Sequence, residues 1–118
     1  MHTLDTLFEL ETLHKHENEY HFRCRLNTEH DIFSGHFPEM PIVPGVCLLH
    51  AVKLAVSQVV DNDVSFLKIR ECKFLSAINP TENSEFEIEF TLDSEKAVKA
   101  GIFIGKTQCM KLKATADF

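Results

Sequence analysis

The 118-residue chain has no uninterrupted apolar run long enough to cross a bilayer. Its longest mostly apolar stretch, Ile42 to Val60, is broken by Pro44, Gly45, His50, Lys53, Ser57 and Gln58, and reads as a buried helix. The first ten residues lack a basic start followed by an apolar core, so no signal peptide is expected, and the expected location is the cytoplasm. Glycine and proline are scarce at four each, and there is no internal repeat, low-complexity tract or linker-like stretch. Disorder is therefore excluded, and one compact domain over residues 1–118 is expected. The four cysteines, Cys24, Cys47, Cys72 and Cys109, show no paired spacing and read as reduced core residues. A basic surplus is also missing. The net charge of −6 argues against nucleic acid as a partner.

What is present suits a soluble globular protein, with 44% hydrophobic residues, 25% charged residues and ten phenylalanines. Glu19 to Leu26 alternates, with Tyr20, Phe22, Cys24 and Leu26 on one side and His21, Arg23 and Arg25 on the other, as a half-buried strand requires. Thr6 to Leu13 also reads as a strand, although Leu4, Leu7, Phe8 and Glu11 fit a helical period too. Asn27 to Pro44 carries three prolines, a glycine and several turn formers, so it is a long structured loop of the kind that usually has a function. From Val46 to Val60 apolar residues cover most of a helical circumference, leaving His50, Lys53 and Ser57 as a narrow polar stripe. A helix of that kind is expected to be wrapped on nearly all sides.

Beyond Asp61-Asn62-Asp63 the pattern is β. Val64 to Ile78 reads as one long strand, Asn79 to Asn83 as a turn, and Glu85 to Leu92 as a strand with Phe86, Ile88, Phe90 and Leu92 inward. Ala97 to Lys106 and Thr107 to Asp117 follow as two strands or one long bent strand. The expected fold class is α+β, one helix against an antiparallel sheet. Lys68, Arg70 and Lys73 cluster on the first of these strands and Lys111 and Lys113 alternate on the last. Such lysines serve either as a solvated strand face or as a contact for an acidic partner.

The most informative run is Phe33-Ser34-Gly35-His36-Phe37-Pro38-Glu39-Met40-Pro41-Ile42-Val43-Pro44-Gly45-Val46. It closely resembles the GHFPxxPxxPGV signature of the 3-hydroxyacyl-acyl-carrier-protein dehydratases, with His36, three prolines and two glycines at matching spacing. The resemblance extends more weakly over most of the chain, through the strand, loop, helix and strand order and through Phe74 with the Pro80 turn. It implies a hotdog fold, a sheet wrapped round a central helix, in a homodimer or larger homo-oligomer.

Dehydration of a 3-hydroxyacyl thioester needs a base for the C2 proton, hydrogen-bond donors for the enolate-like oxygen and an acid for the departing hydroxyl. An imidazole suits the first task at neutral pH, and the flanking prolines would hold His36 on a rigid loop. The other reading of His36 is a structural histidine within a tight proline loop. Gly45 opens the helix, where free N–H groups suit a developing oxyanion, and the resemblance gives its backbone N–H that role. Phe33, Phe37, Ile42 and Val43 are candidate acyl-binding residues or plain core.

The chain departs from the family's pattern on the helix. Where the family places a Glu or Asp that reaches in from the neighbouring subunit, this chain has His50, and where a glutamine is usual it has Leu54. Two readings of His50 stand. It is the substitute acid, paired across subunits with His36, or it belongs to the polar stripe with Lys53 and Ser57. Branches of the family that build aryl polyene pigments also replace the helix acid, and the resemblance to them is looser.

The implied function is dehydration of a carrier-bound 3-hydroxyacyl thioester in fatty-acid or polyene-type biosynthesis, with an acyl carrier protein or acyl thioester as partner. No cofactor is expected, because the thioester itself acidifies C2, and the histidines form no metal-like set with a cysteine pair. Two alternatives remain: a non-catalytic or weakly active hotdog subunit that pairs with another dehydratase chain, and a thioesterase using Cys47 in the first helical turn beside His50.

Overall fold

The computed structural model describes residues 6–30 and 42–118. Phe33, His36 and Phe37 therefore lie outside the described residues. Alternating sequence becomes sheet as expected, in the strands β1 (Phe8–His16), β2 (Glu19–Leu26), β3 (Ser65–Phe74), β4 (Glu85–Leu92), β5 (Ala97–Ile104) and β6 (Thr107–Asp117). They form one six-stranded antiparallel sheet in the order β1-β2-β4-β5-β6-β3. The helix α1 (Gly45–Val60) enters the chain between β2 and β3. Because β2 pairs directly with β4, the helical excursion and β3 are displaced, and β3 returns at the far edge beside β6.

Short turns make the hairpins. Glu17 takes the left-handed conformation between β1 and β2, and Gly105 does so between β5 and β6, at φ 59°. Nothing lies near Gly105 that a side chain would strike, so glycine is favoured there by backbone angle rather than by space. Asp93 accepts the Glu95 and Ala97 N–H groups at 2.9 Å, and Asn79 accepts the Thr81 N–H at 2.9 Å, which closes the two longer turns.

The inner face of the sheet carries Phe22, Cys24, Phe86, Ile88, Phe90, Val98, Ile102, Met110 and Leu112, all buried. Against it lies a helical stripe of Cys47, Leu48, Ala51, Val52, Ala55 and Val56. The small side chains of Ala51 and Ala55 are fully buried in this stripe. The far side of the helix is not wrapped: Val46 is 63% exposed and Leu49, His50, Lys53 and Leu54 are half-buried. The sequence suggested cover on nearly every side, and in the single chain only one face has it. The helix ends at Asp61, whose left-handed backbone turns its N–H back onto the Ser57 carbonyl.

A second difference concerns the strand after the helix. It stops at Phe74 rather than Ile78, and bulges interrupt it between Phe66 and Lys68 and between Ile69 and Glu71. Bulges twist an edge strand and spoil its pairing register. On the outer face, Arg23 reaches Glu11 at 3.2 Å, His21 reaches Glu87 at 2.9 Å, and Glu71 takes Lys73 at 3.1 Å and Lys113 at 3.6 Å.

Two stability measurements check this packing. Ile88→Ala, at a fully buried position in mid-sheet, should cost about 2–5 kcal/mol in urea unfolding. The Lys73 hydrogen bond, reinforced by the charges of Lys111 and Lys113, holds the Glu71 carboxyl below the usual carboxylate range. A depressed folded-state value stabilises the fold above the unfolded carboxylate value and loses that contribution as pH falls through the folded one. Glu71→Gln should therefore melt below wild type at neutral pH, with the difference closing as pH drops below ~4.

Candidate active site

The helix N-terminus is built by Pro44, which caps with φ −59° and ψ 145° and offers no side-chain hydrogen bond. Its carbonyl accepts the N–H groups of Cys47 at 2.9 Å and Leu48 at 3.3 Å. Gly45 and Val46 precede these, and a helix supplies no internal acceptor for its first N–H groups. No acidic side chain occupies the first turn to neutralise the positive end of the helix dipole.

Gly45 matters for space as well. A Cβ there would meet the Phe74 ring at 2.7–3.0 Å, so the end of β3 lies directly against the start of the helix. Between them runs an apolar cleft of about 410 Å³, lined by Ile42, Gly45, Leu48, Phe74, Leu75 and Ile78. Val43 contributes mainly to the core, at 3% exposure, and its N–H bonds to the Ile78 carbonyl at 2.9 Å. That bond ties the end of the proline-rich loop to the segment leaving β3. Ile42 stands at the cleft rim, exposed.

His50 opens elsewhere. It lines a separate groove of about 340 Å³ with Lys53, Leu54, Ser57, Asp63 and Val64. Five helical residues separate it from Gly45, which places the two roughly 140° apart around the helix axis. One chain by itself thus brings Gly45 and Ile42 together but does not bring His50 to them.

Phe74, Leu75 and Ile78 line the cleft without having been expected there. Their signal was faint: three large apolar residues gathered where alternation fails, just before the Asn79 turn. The exposed large apolar residues among the described positions gather at the same end and edge, at Ile42, Val46, Leu67, Ile69, Phe74 and Leu75. Leu67, on edge strand β3, is 73% exposed.

The other described histidines and the cysteines are placed away from such chemistry. His14 and His16 are exposed, and His21 is engaged with Glu87. His30 is buried, with its N–H on the Asn27 carbonyl at 3.1 Å. Among the described residues no group of His, Cys, Asp and Glu could hold a metal ion. Cys47 is 0% exposed, and burial pushes its thiol up, the opposite of what a nucleophile requires. Burial pushes Cys24 up to about 12. No helix among the described residues is long and apolar enough to cross a membrane.

A six-stranded antiparallel sheet packed on one central helix, with a cleft at the helix N-terminus, is the hotdog arrangement. The family profile described as ApeI-like, ApeI dehydratase, matches residues 12–112, and the chain belongs to that family. A 3-hydroxyacyl-acyl-carrier-protein dehydratase FabZ of Chlamydia caviae is 39% identical over 77 residues, covering 58% of this chain and 50% of the relative. The corresponding FabZ of Bacillus velezensis is 32% identical over 68 residues, covering 52% and 48%. The chain thus spans about half the length of the curated relatives it matches. In fold it is similar to a chain of the dehydratase heterocomplex ApeI:P from Xenorhabdus doucetiae, with TM-score 0.76, 19% identity, and 93% and 99% of the two chains covered. An uncharacterized protein from Erwinia carotovora subsp. atroseptica follows at TM-score 0.66 and 21% identity, with 92% and 96% covered.

Thiol accessibility tests the placement of the cysteines. In the native protein an aromatic disulfide reagent should react first with half-buried Cys72, and with Cys24 and Cys47 only once urea unfolds the chain. Fast native-state labelling of Cys47 would return the thioesterase reading to consideration.

Proposed function

We propose that this protein dehydrates a 3-hydroxyacyl thioester carried on an acyl carrier protein, giving the 2-enoyl thioester and water. The observation that carries the reading is the motif Gly35 to Val46 leading into a helix whose uncapped first turn opens on an apolar cleft. Membership of the ApeI-like family and the names of the FabZ relatives support it. Fatty-acid or polyene-type biosynthesis is the proposed setting. The cytoplasm is the proposed location, since four free cysteines suit a reducing compartment.

In this mechanism His36 takes the proton from C2, and the C–H electron pair delocalises onto the thioester as an enolate, then returns to form the C2–C3 double bond as the C3–O bond breaks. As the thioester oxygen gains charge, the Gly45 N–H donates to it, assisted by the positive end of the helix dipole. The C3–O bond breaks, and an acid gives the leaving hydroxide its proton to release water. His50 of a second subunit is the proposed acid, as an imidazolium, and the two histidines re-equilibrate their protons with water between turnovers. Phe33, Phe37, Ile42 and Val43 form or back the wall for the acyl chain. No cofactor takes part.

A homodimer fits the separation of Gly45 and His50 in one chain, and the exposed apolar residues on β3 and beside the cleft give it a surface. A second reading has its own support. The Xenorhabdus doucetiae relative is described as part of a dehydratase heterocomplex, and this chain has His50 where the wider family has a carboxylic acid. On that reading the chain completes its site with a different hotdog partner.

Turnover of a 3-hydroxyacyl thioester, followed by enoyl absorbance, should disappear in His36→Ala, a loss of at least ~100-fold for a removed general base. His50→Glu separates the roles of His50: a rise marks it as a weak substitute acid, and a fall as the working one. No turnover in either direction by the purified chain, restored on adding a second hotdog protein, would replace the homodimer by the heteromeric reading.

A further inference from the structure

The outer face of the sheet is divided by charge. Strand register sets Glu19, Thr91, Lys99, Lys113 and Glu71 in one row across β2, β4, β5, β6 and β3. The next row holds His21, Glu89, Gly101, Lys111 and Lys73. On the β1, β2 and β4 side, cations and carboxylates interleave, as in the pairs Arg23 with Glu11 and His21 with Glu87. On the β5, β6 and β3 side, lysine faces lysine: Lys99 opposite Lys113, and Lys111 opposite Lys73. Within these lysine rows Glu71 is the single carboxylate on β5, β6 and β3, and it bonds only Lys73 and Lys113.

Like charges directly opposite each other destabilise a sheet. Two such pairs side by side, in a chain of net charge −6, oppose both local stability and the overall charge balance. Among the described residues Glu71 answers Lys73 and Lys113, whereas Lys99 and Lys111 form no ion pair, which leaves them open to an anion from outside the chain. A groove of about 470 Å³ lies beside them, with Lys99, Lys111 and Lys113 on one wall, Glu19 and Glu89 on the other, and Gly101 in its floor. A Cβ at Gly101 would strike the Phe103 ring at 2.7 Å and the Gln108 amide nitrogen at 3.0 Å, so glycine keeps the floor low.

The position of this patch selects its occupant. Lys73 is on the outer face, and the next residue, Phe74, turns inward with its ring against Gly45. The end of β3 is therefore a short passage, one sheet thick, from the lysine rows to the mouth of the apolar cleft. We propose that Lys73, Lys99, Lys111 and Lys113 dock the acidic surface of a carrier protein whose thioester arm passes over the end of β3 into the Gly45 cleft. This assignment rests on the dehydratase reading and adds to it the surface that recognises the carrier. The rows lie broadside to the sheet, so an extended acidic surface meets them better than a single small anion would.

The test is the double variant Lys99→Glu with Lys111→Glu, neither of which bonds Glu71. Each reversal converts a like-charge pair into an opposite-charge pair, while Lys111→Glu also removes a charge that supports the Glu71 carboxylate, so the variant should melt close to the wild-type temperature. Binding of the host's holo acyl carrier protein, read by fluorescence anisotropy over a salt series, should weaken at least about tenfold and lose most of its salt dependence. Turnover should fall for a carrier-borne 3-hydroxyacyl substrate and not for the same acyl group on free pantetheine. Unchanged carrier binding by the variant, no carrier binding by the wild type, or equally tight and equally charge-dependent binding of duplex DNA would each overturn the docking surface. Carrier binding that depends on these lysines, in a protein that turns over neither substrate, would instead overturn the dehydratase reading and leave the surface standing. Turnover of the pantetheine thioester without carrier binding would do the reverse.

Discussion

The burial of one helix in the core of a six-stranded sheet is the constraint from which the rest of this structure follows. Ala51 and Ala55, with Cys47 between the helix start and them, give the helix a shallow stripe, and all three are fully buried. Bulkier side chains at these positions would overpack a stripe that is already fully buried. At the start of the same helix Gly45 lies against the Phe74 ring at the end of β3. Core packing and cleft thus share one helix, whose buried stripe serves the core and whose first turn borders the cleft.

That economy leaves the other side of the helix uncovered. Val46 is largely exposed, and His50, Lys53 and Leu54 line an open groove rather than an interior. The two sheet edges are not alike. β1 carries Glu9, Glu11, Lys15 and His16 in exposed positions, the kind of charge that discourages strand addition, whereas β3 exposes Leu67, Ile69 and Phe74. The bulges in β3 fall among those apolar residues. An edge that is irregular and apolar at the same time is shaped for side-chain contact as much as for backbone pairing, and it lies beside the cleft rather than opposite it.

Most of the fold was legible because alternation is a strong signal where one face is buried. Glu19 to Leu26 and Glu85 to Leu92 came out with their expected bounds, and the helix began one residue earlier than its apolar period suggested. The strand after the helix was read too long because Leu75 to Ile78 is as apolar as a strand. Leu75 and Ser76 share one last hydrogen-bond acceptor on β6, the Cys109 carbonyl, and the chain then leaves the sheet along the cleft, with Val43 held on the Ile78 carbonyl. Strand order was not legible at all. Pairing β2 with β4 across an intervening helix and strand is a matter of long-range packing, which no local pattern encodes. The helix was expected to be wrapped because composition counts apolar residues without saying whether the covering atoms belong to the same chain.

The candidate site divides along the same line. Gly45 stood out in a local motif, and its geometry is local too: a capping proline, an open first turn and one aromatic ring. His50 was harder, since its meaning depends on what stands across from it. The helical angle between Gly45 and His50 turns that uncertainty into a structural requirement. If both act on one substrate, they do so from different chains, and the proposed lysine surface lies on the outer sheet face, away from the His50 groove.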